Sequence, residues 1–98
     1  MLLIENKNHN KAAAALAVNA GHFDDPQNRE GLAHFVEHML FLGTKKYPDG
    51  SEYQKFISAN GGTTNAWTAT EHTCFFFDIQ HTHFVEALDR FSQFFISP

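Results

Sequence analysis

His34, Glu37 and His38 can meet at one point only if the residues between them wind into an α-helix, and nothing else in the chain constrains its fold as strongly. At about 100° per residue the two imidazoles fall roughly 40° apart, with Glu37 close beside them. Two nitrogens at that separation can hold one zinc ion and leave the carboxylate free to work on a water. The flanks agree with a helix. Leu32, Phe35, Val36, Met39 and Leu40 collect on the side of the wheel opposite the histidines, which predicts an apolar back for a core and a polar front for a metal. Residues 24–28 offer turn and capping groups, Pro26 bars an earlier start and Gly43 supplies a stop. A helix is therefore predicted from about Arg29 to Phe41. The plainer reading of the motif is a solvated helix face that happens to carry two histidines.

Ninety-eight residues suit one small domain, and a chain of this size buries only roughly 60–68% of its extended surface. Eleven phenylalanines predict a ring-rich core. The net charge of -4, with no run of Lys or Arg, argues against nucleic acid or an anionic membrane as the main partner. Cys74 is the only cysteine, so no internal disulfide forms; its neighbours Phe75, Phe76 and Phe77 suggest a buried thiol. No apolar stretch is long enough to span a bilayer. The opening Met1-Leu2-Leu3-Ile4-Glu5 lacks the features of a signal peptide.

Along the chain, residues 2–4 read as a short strand and 6–10 as a turn. Residues 11–20 are ambiguous because Ala12 to Ala15 favour helix. Leu16 and Val18 alternate with smaller residues and Gly21 follows, so a strand is predicted. After the motif helix, residues 45–50 form a loop. Ser51 is expected to cap a short helix through Tyr53, Phe56 and Ile57 that ends at Asn60-Gly61-Gly62. Residues 63–70 and 73–80, rich in Thr, Phe and Trp, predict neighbouring antiparallel strands. Residues 81–96 have helical spacing at Phe84, Val85, Leu88, Phe91, Phe94 and Phe95. This order makes an α+β fold, a two-layer arrangement with helices on one face of a mainly antiparallel sheet.

His-x-x-Glu-His is the inverted form of the commoner zinc-peptidase motif. It sits within Asn28-Arg29-Glu30-Gly31-Leu32-Ala33 and Met39-Leu40-Phe41-Leu42-Gly43-Thr44, and Lys46-Tyr47-Pro48 follows. Further on stand Gly62-Thr63-Thr64-Asn65-Ala66-Trp67-Thr68, Glu71-His72-Thr73 and Ala87-Leu88-Asp89-Arg90-Phe91. With these segments the chain resembles the M16, or pitrilysin/insulinase, family of zinc metallopeptidases over nearly its whole length. The resemblance implies a LuxS/MPP-like metallohydrolase architecture and hydrolysis of peptides or small unfolded proteins. It implies one Zn2+ per site held by His34 and His38, with Glu37 as general base. It also implies a substrate laid as an extra strand along residues 63–68, pairing at Asn65 and Ala66, with Trp67 and Phe41 near the scissile residue. The plainer reading of those two aromatics is core packing.

The family takes a glutamate as third zinc ligand, expected beyond Pro98, and a second, degenerate half that closes over the substrate. Residues 1–98 are thus expected to be the N-terminal part of the catalytic domain, incomplete and inactive alone, with the rest of the M16 polypeptide or a partner half as its partner. Glu71, His72, Asp78, His81 and His83 are the alternative donors within the chain. Two rival functions remain. S-ribosylhomocysteine lyases share the motif and take a cysteine ligand, for which Cys74 is the sole option; non-catalytic M16 halves usually lose the residues that this chain keeps. The compartment, periplasmic or cytoplasmic, is not encoded in any local feature.

Overall fold

Alternation along residues 73–80 builds the middle of the fold. In the computed structural model, which describes Ile4 and residues 10–98, Thr73, Phe75, Phe77 and Ile79 are buried while the residues between them are only partly buried. The elements run β1 (Lys11–Val18), a 3-10 turn (His22–Asp24), α1 (Leu32–Leu40), α2 (Glu52–Ala59), β2 (Thr63–Thr68), β3 (Thr73–Gln80), a 3-10 turn (His81–His83) and α3 (Phe84–Ile96). The sheet order is β1-β3-β2, antiparallel throughout. Among the described residues, β2 is an edge strand.

Facing pairs share one side of a sheet. Phe75 and Phe77 therefore share a face with Leu16 and Ala14 of β1 and with Ala66 and Thr64 of β2. That face takes the helices. Phe75, Phe77 and Ile79 pack with Tyr53 and Ile57 of α2 and with Ala87, Phe91 and Phe94 of α3. Each such ring or branched side chain contributes roughly 1.5–3 kcal/mol on full burial. The two-layer α+β arrangement expected from the sequence is the one found.

The alanine run forms a strand against its helical propensity, because eight residues pair in register with β3, from Lys11 opposite Gln80 to Val18 opposite Thr73. Gly62 leads into β2 where the backbone runs so close to β3 that any Cβ would collide with the carbonyl oxygen of Asp78. Only glycine fits there.

Four expectations need correction. The motif helix begins at Leu32, not Arg29, because Gly31 lies at φ 89°, in the left-handed region, and breaks the helix. Ser51 stands at the N-cap of α2 without a side-chain cap bond; its own N–H and hydroxyl donate to Asp49 Oδ1, each at 3.0 Å. The third concerns the apolar back of α1. Leu32, Phe35, Val36 and Met39 are exposed by 42–61%, and the buried residue of α1 is Glu37. The helix turns Glu37 toward β2, leaving these four apolar side chains uncovered among the described residues while Leu40 packs on the core. Finally, the helix expected at residues 81–96 begins with a 3-10 turn and becomes α only at Phe84. The expected strand at 2–4 and turn at 6–10 fall almost wholly outside the described residues.

Candidate active site

Asp25 starts the site. Its carboxylate accepts the N–H of Gly31 at 2.8 Å and of Ala33 at 2.9 Å, satisfying amides that the first turn of α1 leaves open. The Ala33 bond, with that of Gly31, holds the Asp25 carboxyl below its ordinary value. Upstream, His22 and Phe23 donate their N–H groups to Ala69 and Thr70 carbonyl oxygens, at 2.9 Å each, which ties the lead-in of α1 to the end of β2.

From this anchored helix His34, Glu37 and His38 converge. Their candidate ligand atoms all lie within 4.8 Å of one another, and the two imidazole Nε2 atoms stand 3.0 Å apart. Tetrahedral zinc with bonds of about 2.0–2.1 Å needs two nitrogens roughly 3.3 Å apart. The pair thus needs only a few tenths of an ångström of adjustment, and both rings are exposed for an ion to reach. The donor set fits zinc as two arms of a site. Glu37, by contrast, is 6% exposed and accepts the hydroxyl of Thr68 on Oε2 at 2.7 Å. Thr68 went unnoticed in the sequence, where one more Thr in a Thr-rich strand carries no signal of its own.

No other donor joins this cluster among the described residues. Asp78 accepts the N–H and hydroxyl of Thr63, both at 3.0 Å, and lies 3.6 Å from Lys11 Nζ. The His81 ring meets the Asn10 carbonyl and the His83 ring lies against Phe56. His72 packs edge-on to Trp67, and Glu71 is exposed. Cys74 is partly buried rather than buried. It pairs with Ala17 and Trp67 on the sheet face turned away from the helices, while Glu37 reaches Thr68 on the helix face. The sheet stands between thiol and motif.

The expected substrate residues divide. Glu37, His38, Phe41 and Asn65 line one cavity of about 320 Å³, together with Leu42, Gln54 and Thr64. Phe41 also packs on Tyr53 and Phe94, with ring centroids 6.0 and 5.2 Å apart, so it belongs to cavity wall and core at once. The Ala66 N–H donates to Asn65 Oδ1 at 2.9 Å, a local cap on an edge-strand amide. Trp67 lies on the opposite sheet face beside Phe76 and is 49% exposed.

A three-stranded antiparallel sheet that sets an inverted histidine–glutamate–histidine helix beside its edge strand defines an α+β scaffold with a candidate metal-binding helix. The whole chain, residues 1–98, matches the sequence profile of insulinase (peptidase family M16), and the chain belongs to that family, whose members are generally zinc metallopeptidases. It is 53% identical over 97 residues to the A-factor-processing enzyme of Saccharomyces cerevisiae, covering 99% of this chain and 9% of that protein. It is 53% identical over 98 residues to the insulin-degrading enzyme of Homo sapiens, covering 100% of this chain and 10% of that protein. Among solved structures, pitrilysin superposes with a TM-score of 0.88 at 34% identity, over 91% of this chain and 10% of that one. The chain therefore spans about a tenth of the length of these relatives. No described helix is long and apolar enough to cross a membrane.

Proposed function

We propose that residues 1–98 are the N-terminal part of the catalytic domain of a zinc metalloendopeptidase. The single observation that carries this reading is the convergence of His34, Glu37 and His38 within 4.8 Å beside an edge strand, β2, that a peptide can extend. His34 and His38 would hold the ion, and the third ligand would come from polypeptide outside these residues. The exposed Leu32 and Val36, which line a groove of about 360 Å³ with Leu40, Val18, Phe75 and Phe95, support a larger domain packing there. The partner would be the remainder of an M16 polypeptide or a second half, and the substrates peptides or small unfolded proteins.

A bound zinc would supply electrostatic activation of the scissile carbonyl and of a water at this site. The chain's own residues would do the rest. A peptide paired along β2 meets the Ala66 amide once the Asn65 side chain yields it, so the scissile bond is presented beside the motif helix. Glu37 takes one proton from water as its oxygen bonds to the carbonyl carbon. The same proton passes to the amine nitrogen as the C–N bond breaks. The cavity walled by Phe41 and Leu42 receives a side chain of the substrate.

Glu37→Gln, nearly isosteric and still able to accept the Thr68 hydroxyl, tests the reading in the full polypeptide. Zinc content should stay at one per site while turnover of a fluorogenic peptide falls by about 10²–10⁴-fold, the usual worth of a general base. Full peptidase activity in this variant would refute the assignment.

A further inference from the structure

We infer that Thr68 is a positioning residue for Glu37, a step that rests on the peptidase reading above. Glu37 is almost wholly buried, and the hydroxyl of Thr68 is the hydrogen-bond partner of its carboxylate, at 2.7 Å. A carboxylate on a three-bond side chain has several rotamers. A charge-assisted bond to one oxygen selects among them and holds the carboxylate where it lies within 4.8 Å of the histidine nitrogens. The bond runs from β2 to α1, while backbone bonds from His22 and Phe23 to Ala69 and Thr70 tie the turn before α1 to the loop after β2.

The position of Thr68 in the strand adds a consequence. Its side chain lies on the helix face, opposite Thr73, while the backbone of the same strand offers the edge along which a peptide would pair. One strand thus carries both the proposed substrate edge and the donor that aims the base. A peptide that orders β2 also orders Glu37, which ties the placement of the scissile bond to the placement of the proton acceptor.

Thr68→Val removes the hydroxyl and keeps the shape; Thr68→Ser restores the hydroxyl. In the zinc-loaded full polypeptide, Thr68→Val should lower kcat for a fluorogenic peptide by on the order of 10–100-fold, the cost of a slightly misplaced group. KM and zinc stoichiometry should stay unchanged, and Thr68→Ser should recover most of the rate. Thermal melting of the zinc-free protein supplies a readout without turnover: Thr68→Val should lower Tm in the wild-type background and not when Glu37 is already Leu. Unchanged kcat in Thr68→Val while Glu37→Gln is inactive would overturn the positioning role and leave the base intact. Failure of Thr68→Ser to rescue would overturn it too, by showing a packing role. Full activity in Glu37→Gln would instead remove the base itself.

Discussion

Tyr53→Phe should cross the wild type in stability as pH rises. Tyr53 of α2 is 5% exposed, and its hydroxyl lies 2.9 Å from Thr64 Oγ1 on β2. Thr64 spends its own proton on the Phe76 carbonyl, 3.0 Å away, so Tyr53 is the donor. Burial pushes the Tyr53 hydroxyl from 10.0 up to about 12. At neutral pH the variant loses one hydrogen bond and leaves Thr64 its bond to Phe76, a net cost of about 1 kcal/mol. Above pH 10 the unfolded wild type releases the Tyr53 proton while the fold still holds it. The unfolded state then binds fewer protons, and stability falls with rising pH until the folded value is reached. Two units of displacement amount to about 3 kcal/mol across that window. The phenylalanine variant has no such proton to lose. With a 1 kcal/mol deficit at the outset, the two curves should meet near about pH 10.7, with the variant the more stable above it. Tyr47, also raised, chiefly by its bond to Asp89, titrates in both proteins and cancels. Urea unfolding followed by circular dichroism from pH 7 to about pH 12 reads both curves. Parallel curves throughout would refute the claim that the buried Tyr53 hydroxyl ties α2 to β2 in its neutral form.

Asp25→Ala should fray the first turn of α1, lowering Tm and weakening zinc binding by titration. Because backbone bonds depress the Asp25 value, its contribution is complete above the ordinary carboxylate range and lost as pH falls through the folded value. The Tm gap between wild type and variant should therefore close as pH falls below the ordinary carboxylate range; a gap that persists in strong acid would contradict the cap. Trp67→Ala should leave KM for peptides nearly unchanged, since Trp67 lies beside Phe76 on the sheet face away from the motif helix, about half in solvent. A raised KM for peptides with aromatic residues near the scissile bond would instead show that substrate reaches that face.

Much of the frame was legible in advance, for identifiable reasons. Richness in Thr and Phe made residues 73–80 readable as a strand, which is β3, and helical spacing at Phe84, Phe91 and Phe94 made the body of α3 readable. Asp25 lay within the stretch expected to cap α1, and it does. Ser51 looked like a cap by type, but Asp49, two residues earlier, takes both of its donors; local competition of that kind leaves no trace in residue preference. The apolar stripe of α1 predicted a core contact from its pattern alone. Amphipathic spacing specifies which side of a helix seeks cover, not whether the cover lies within the same stretch of chain.

His34, Glu37 and His38 converge because helical geometry alone puts residues four apart on one face, so the order of amino acids was sufficient to determine that group. Long-range contacts decided what stands around it. The bond from Thr68 to Glu37, the sheet between Cys74 and the motif, and the placement of Phe41 and Trp67 on opposite faces all depend on how β2 registers against β3 and α1. Register arises from pairing between distant segments, where a shift of one residue would exchange the faces of every side chain in the strand.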